Sequence, residues 1–323
     1  MRYGKLTNEE LKDNVLGVIG HRRAEIKTGS SLALDCAAFA LEGEGLITSD
    51  PITGAGENIG SLAIQVNAND IISCGGEPVA ILLTIIAPPD TRLEAIKKIM
   101  QDAEREAIAQ NMQIIGGHTE FSDAVTRIIV CATAIGKSDN PVFASGAQIG
   151  DDIVLTKYAA LEGTAIIASD MADRLKGALT QEELEYARSL SGMLSIAQEG
   201  KMASSLKVNA MHDVTEGGVI GAVSEMAQAA GAGAEIYADK IPLLEVTKKI
   251  AEALNIDPLR LISSGSLLIC SPEGEKVVRE LEKAQIKGTI IGKIVKGDKT
   301  LLIRGKEVSE VTAEADHLFK IGV

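Results

Sequence analysis

No tryptophan occurs in this chain, and phenylalanine and tyrosine occur only four times each. So small an aromatic complement argues against the stacking platforms that hold single-stranded nucleic acid. Positive charge is also short: 32 Lys and Arg stand against 45 Asp and Glu, a formal net charge of −13. A phosphodiester backbone would be repelled over most of such a surface, whereas a nucleotide is still acceptable once a metal ion screens its phosphates. No apolar run reaches the roughly 20 residues a membrane-spanning helix needs. The opening segment MRYGKLTNEELKDNVLG reads as a capped, charged helix and not as a signal peptide. Cysteine is limited to Cys36, Cys74, Cys131 and Cys270, widely spaced and without a paired zinc-ligand pattern. They read as reduced core thiols of a cytoplasmic protein.

What is present is aliphatic and long enough for two cores. A chain of 323 residues with 46% hydrophobic content exceeds what one core serves. GLITS, VAILLTIIA, MQIIGG and AVTRIIVCATAIG read as strands, interleaved with helices over 58–73 and 91–110. The Gly, Ser, Pro and Asp-rich GKSDNPVFASGAQIGDD marks a boundary near residue 145, giving domains 1–145 and 146–323. Beyond it, DDIVLTK, AEIYA, SLLIC, KGTIIGKIV and TLLIRG read as strands, with helices over 162–171, 181–198 and from PLLEVTKKIAEAL and GEKVVRELEKA. Strand and helix mixed in this way imply an α/β (α+β) architecture with helices packed on sheet.

Acidic residues interrupt several of these apolar patterns: Asp35 in SSLALDCAAF, Asp50 ending GLITSD, Asp70 in NANDII and Asp213 in HDVTEGG. At helical spacing Asp70 extends the stripe Ile59, Ala63, Val66, where a bare carboxylate would be costly unless a cation or hydrogen bonds satisfy it. An oxygen-rich acidic set suits Mg²⁺ shared with nucleotide phosphates.

Three further segments carry chemistry-bearing residues. GGHTEF places Gly116 and Gly117 before His118, Thr119 and Glu120; glycines let backbone amides approach an anion, and the plainer reading is a tight turn between strands. In HDVTEGG, Thr215 is an N-cap candidate and Gly217 begins a closely packing helix whose N-terminus attracts phosphate. A capped helix with an acidic first turn is the functionless alternative. Lys157 ends the strand of LTK, as a phosphate-holding point charge or as a solvated lysine. His21 and His317 read as surface residues, and His212 as a hydrogen-bonded structural histidine or an acid–base group.

The order Asp35, ITSD, AND-II-SCGGEP, a Gly-Gly-polar segment, LTK and DVTEGG resembles the aminoimidazole ribonucleotide synthetase superfamily over nearly the whole chain. GGHTEF and ISSGSLLI look most like its HypE-like branch. The resemblance implies a homodimer in which N-terminal domains pair their sheets into a β-barrel, an α/β sandwich as C-terminal domain, and ATP in a cleft. It implies Asp35, Asp50, Asp70 and Asp213 as Mg²⁺ ligands, Asn69 supporting Asp70, Gly116, Gly117, His118 and Thr119 along the phosphate path, and Glu120 near the transferred group. His118 and Glu120 are then the catalytic candidates, and Lys157, Thr215 and Gly217 further nucleotide-binding ones. The implied reaction is attack of a substrate oxygen on the γ-phosphate of ATP, in a small molecule with a hydroxyl or amide-type group. The alternative is a nucleotide-binding maturation or regulatory protein without turnover, with a maturation-protein partner. Two departures motivate that alternative: no cysteine follows Cys270 in this sequence, and the glycine-rich stretch before Asp35 is reduced to KTGSSLALD.

Overall fold

The capped first helix expected from the sequence is present in the structure, a computed structural model that describes residues 3–31, 36–53, 58–312 and 314–322. Thr7 Oγ1 accepts the Glu10 N–H and Glu10 returns a carboxylate to the Thr7 N–H, which starts α1 (Asn8–Asn14). The chain packs as two compact units, Met1–Ile72 with Gly76–Pro141, and Ser73–Gly75 with Val142–Val323.

The first unit holds β1 (Gly4–Lys5), β2 (Ile26–Thr28), β3 (Ala38–Phe39), β4 (Glu44–Ile52), β5 (Glu77–Ala87), β6 (Gln113–Phe121) and β7 (Ile129–Ser138), with α2 (Ile59–Ser73) and α3 (Leu93–Ala109). Its sheet runs β1-β6-β5-β7-β4, with only β5 and β6 parallel. Alternation along β5 buries Ile81, Leu83, Ile85 and Ala87 and leaves Leu82, Thr84 and Ile86 half-exposed, as a strand with one covered face should. On the uncovered face, beside these, lie Cys131 and Thr133 of β7 and Ile47 of β4, the last 73% exposed. The sheet is open, so a barrel is not formed within this chain among the described residues.

Two local expectations fail here. GGHTEF is not a turn: β6 continues to Phe121 because β5 pairs with it through Leu82–Gly116, Thr84–His118 and Ala87–Phe121. Gly117 is required there, at φ 144, since a Cβ would lie 1.8 Å from the Leu83 carbonyl oxygen. The strand anticipated from Ala124 starts only at Ile129, because the Ser122 hydroxyl accepts the Ala124 N–H and turns the chain.

The second unit holds β8 (Asp152–Thr156), β9 (Ala210–Val214), β10 (Gly233–Tyr237), β11 (Ser266–Ser271), β12 (Gly288–Val295), β13 (Thr300–Arg304) and β14 (Glu307–Glu310), and helices α4 (Leu161–Asp170), α5 (Gln181–Ser189), α6 (Ala197–Ser205), α7 (Gly218–Ala229), α8 (Glu245–Leu254), α9 (Gly274–Lys283) and α10 (His317–Lys320). Its sheet runs β14-β13-β10-β12-β8-β11-β9 and is antiparallel except for β10 with β13. The apolar side of α7, Val219, Ile220, Val223 and Met226, shares one core with Ile153, Leu155, Leu268 and Ile294 of the strands. The single helix expected over 181–198 is two, α5 and α6. Ser189 and Ser191 hydroxyls donate to the Tyr186 and Arg188 carbonyls, and Lys157 takes the Met193 and Ser195 carbonyls that a continuous helix would use.

No helix among the described residues is long and apolar enough to cross a membrane.

Candidate functional site

Asp50 on β4 and Asp70 on α2 are both tied across the seam between these two elements. Thr48 and Asp50, two apart on β4, face the same side of the sheet, and Thr48 Oγ1 donates to Asp70 Oδ2 at 2.7 Å. Beside it the Asp50 N–H donates to Asn67 Oδ1 at 3.1 Å, while the Asn67 amide is held by the Ala63 carbonyl at 2.9 Å. The expected stripe through Asp70 is corrected by burial: α2 is covered nearly all round, and Ser61, Leu62, Val66 and Asp70 form its half-exposed side. Asp70 therefore escapes the desolvation that a fully buried carboxylate meets. Asn69 is buried, but its Oδ1 accepts from Gln65 at 3.0 Å, itself bonded to Gln110, so this bond tightens the α2–α3 packing.

Hard oxygen donors, two carboxylates on one half-exposed seam, fit Mg²⁺, which retains waters and takes one or two carboxylates beside phosphate oxygens. Asp35 lies outside the described residues. Among the described residues no three His, Cys, Asp or Glu side chains form a metal-ligand group.

His118 and Glu120 lie elsewhere. Cross-strand partners place them with Thr84 and Ile86 on the uncovered face, whereas Asp50 shares its row with Ala132, Leu83 and Gly117 on the helix face. Three strand spacings, about 14 Å, separate β6 from β4. One protomer thus does not bring His118 and Glu120 to the Asp50–Asp70 seam, because the two pairs occupy opposite faces and distant strands. His118 Nε2 lies 3.0 Å from Glu120 Oε2, a pairing that alternate residues of one strand permit. Beside β6 a cavity of about 770 Å³ is lined by Gly116, Gly117, His118 and Thr119, by Ser30 and Cys36, and by apolar residues of the α1 region. That volume lies in the range of small-molecule sites. Cys36 is exposed at this cavity and not in a core, contrary to the sequence reading; Cys270 is fully buried, and all four thiols are free.

In the second unit Asp213 is buried at the end of β9, opposite Leu267. Thr215 does not cap α7: the N-cap is Gly217, at φ 83, and the Thr215 carbonyl instead accepts the Gly218 and Ser263 N–H groups. Gly218 is also left-handed, and a Cβ on it would lie 2.5 Å from the Leu259 carbonyl oxygen. The Gly217 N–H, the expected phosphate donor, already donates to Asp316 Oδ2 at 2.7 Å.

Lys157 is neither solvated nor open to a ligand in this state. Its Nζ contacts Glu199 at 2.8 Å and donates to the Ser195 and Met193 carbonyls at 2.5 and 3.0 Å. Burial lowers its pKa, opposed by the Glu199 charge. His317 is buried rather than on the surface, its Nδ1 accepting the Asp257 N–H at 2.8 Å. His212 bonds Glu225 at 3.2 Å; burial disfavours its charge, but Glu225 and the Asp213 charge outweigh this and raise its pKa.

Sequence reasoning missed Thr48 and Asn67, the supports of the acidic seam, although each sits at a readable offset, two before Asp50 and three before Asp70. It also missed Glu162, Ser264 and Asp316. Glu162 is buried, accepts the Ser264 N–H at 3.3 Å, and has its carboxyl pushed up by burial, against the Ser264 hydrogen bonds and with Asp316 and Asp213 adding charge repulsion. No local pattern signals a residue as remote in sequence as Asp316.

Residues 33–138 match the family model described as AIR synthase related protein, N-terminal domain, and residues 148–304 match the C-terminal domain of the same description. A protein of Methanocaldococcus jannaschii named for hydrogenase expression and formation is 26% identical over 93% of this chain and 91% of its own length. Carbamoyl dehydratase HypE of Rhizobium leguminosarum is 29% identical over 82% of this chain and 77% of that protein. The crystal structure of hydrogenase maturation protein HypE in complex with ATP superposes with a TM-score of 0.79 at 17% identity, covering 96% of this chain and 95% of that one.

Proposed function

Because the chain belongs to the family of AIR synthase related proteins, with relatives among the HypE proteins, we propose that it is a Mg²⁺-dependent enzyme that uses ATP to activate an amide-type or hydroxyl oxygen of a small molecule. The observation that carries this reading is the Asp50–Asp70 seam at a half-exposed edge, where Thr48 braces the Asp70 carboxylate and Asn67 holds the Asp50 backbone. Mg²⁺ bound there supplies charge neutralisation for the ATP phosphates. Thr48 keeps the Asp70 carboxylate aimed before nucleotide arrives, and Asn67 fixes the strand position from which Asp50 projects. Gly116 and Gly117 lie on the β6 strand beside the cavity of about 770 Å³, and their part in holding phosphate depends on a second protomer bringing that strand to the seam. Asp35 and Asp213 are further metal-ligand candidates that the family resemblance implies, and Asn69, Thr119, Lys157, Thr215 and Gly217 are the nucleotide-side ones. Lys157 and Gly217 would first have to exchange the partners they now hold.

A homodimer belongs to the same proposal, with His118 and Glu120 lying on the face that would form its interface. The uncovered face of Ile47, Leu82, Ile86 and Ile129 suits such an interface, and pairing it across a two-fold axis would yield the family's barrel. Light scattering that finds a stable monomer overturns this arrangement. Domain limits at 1–145 and 146–323 belong to the same proposal.

Titration calorimetry with ATP and Mg²⁺ tests the function: native protein should bind, and Asp50→Asn with Asp70→Asn should bind much more weakly. Unchanged binding in those variants defeats the metal role. The second reading, a nucleotide-binding maturation partner without turnover, is favoured by the separation of His118 and Glu120 from the seam. Steady phosphate release with any amide or hydroxyl substrate removes it.

A further inference from the structure

Helix α7 begins through two left-handed glycines and has no side-chain cap of its own. A carboxylate 99 residues further along the chain takes that place: Asp316 Oδ2 accepts the Gly217 N–H at 2.7 Å, and Oδ1 accepts the Leu318 N–H at 2.8 Å. Asp316 is 1% exposed. Its surroundings are pinned independently, since His317 Nδ1 accepts the Asp257 N–H, Arg174 Nη1 donates to the Ile321 carbonyl at 2.7 Å, and Arg260 Nη1 donates to the Thr312 carbonyl at 3.1 Å. Burying a third carboxylate near Glu162 and Asp213 is electrostatically unfavourable. Among the short side chains, only a carboxylate can accept these two backbone N–H groups on two oxygens at once; an asparagine offers one acceptor and a serine one hydroxyl. Two glycines in series are also the backbone least able to hold a turn by themselves.

We propose that Asp316 is a positioning residue for the nucleotide site: by holding the Gly217 N–H it fixes the turn from Asp213 to Gly218 and with it the direction of the Asp213 carboxylate. This rests on the reading of Asp213 as part of an ATP–Mg²⁺ site. Asp316 touches no reacting atom; it acts through Gly217.

The test compares Asp316→Ala, Asp316→Asn and Arg174→Ala in the full chain. Affinity for an unhydrolysable ATP analogue with Mg²⁺ is measured by calorimetry, hydrogen exchange over residues 214–221 without ligand, and melting temperature on the same samples. Loss of a hydrogen bond to a charged group predicts about tenfold weaker analogue binding and faster exchange in Asp316→Ala. Asp316→Asn, which keeps one acceptor, should fall between and provides the readout if the alanine variant does not fold. Arg174→Ala, which unfastens Ile321 and a Met171 sulfur contact but leaves Gly217 untouched, should lower the melting temperature without changing affinity. Unchanged affinity or exchange in the Asp316 variants overturns the proposal. So does an Arg174 variant that weakens binding equally, because general loosening would then be the cause. Native protein that binds no nucleotide overturns the functional reading itself, a result seen without any variant.

Discussion

Replacing Lys157 by methionine separates two roles that the residue could have. Lys157 and Glu199 have side chains 13% and 4% exposed, and the ammonium also satisfies two carbonyls between α5 and α6. Removing one member of a buried ion pair leaves the other charge uncompensated, at a cost of about 3–5 kcal/mol. For a unit of this size each kcal/mol shifts the melting temperature by about 2–4 °C, so Lys157→Met should lower it by about 6–20 °C. The double variant Lys157→Met with Glu199→Leu removes both charges at similar volume and should recover most of that loss. Scanning calorimetry on the wild type, both single variants and the double variant closes the cycle, with nucleotide affinity measured alongside. A Lys157→Met protein that melts like the wild type but binds ATP poorly refutes the argument, since the ammonium would then be holding phosphate and not the α5–α6 connection.

Three other outcomes follow from the geometry. Arg23 and Lys137, each 2.7 Å from Glu25, hold its carboxyl well below the ordinary value of 4.5. Its stabilising contribution is therefore complete above that value and is lost as pH falls towards the folded-state pKa, so Glu25→Gln should flatten the acid limb of a stability–pH curve; an unchanged limb assigns acid sensitivity elsewhere. Gly117→Ala should destabilise the first unit by on the order of 3 kcal/mol in urea unfolding, from a left-handed φ and a Cβ placed against the Leu83 carbonyl. A thiol reagent should modify Cys36 rapidly and spare Cys270, whose thiol is pushed up by burial and the Asp151 charge, until the protein is unfolded.

Much of the architecture was legible because it is local. Period-two and period-3.6 patterns located β4, β5 and α2 to within a few residues, and the charged, capped pattern of the opening segment announced α1. Errors came where a distant partner decided the outcome. GGHTEF looks like a turn until β5 supplies a ladder along its whole length. The stretch 181–198 looks like one helix until Lys157 takes its carbonyls. Thr215 looks like an N-cap until Asp316 does that work from another part of the chain.

The same division governs the candidate site. Residue order alone determined the family resemblance and picked out Asp50, Asp70 and Asp213, because an acid breaking an apolar pattern is visible without coordinates. Only the tertiary structure decided which acids share a seam and on which face of the sheet His118 and Glu120 stand. Strand parity and strand order are set by pairing between segments far apart in sequence. One residue's shift in register would exchange the two faces, and nothing within a single segment records that choice.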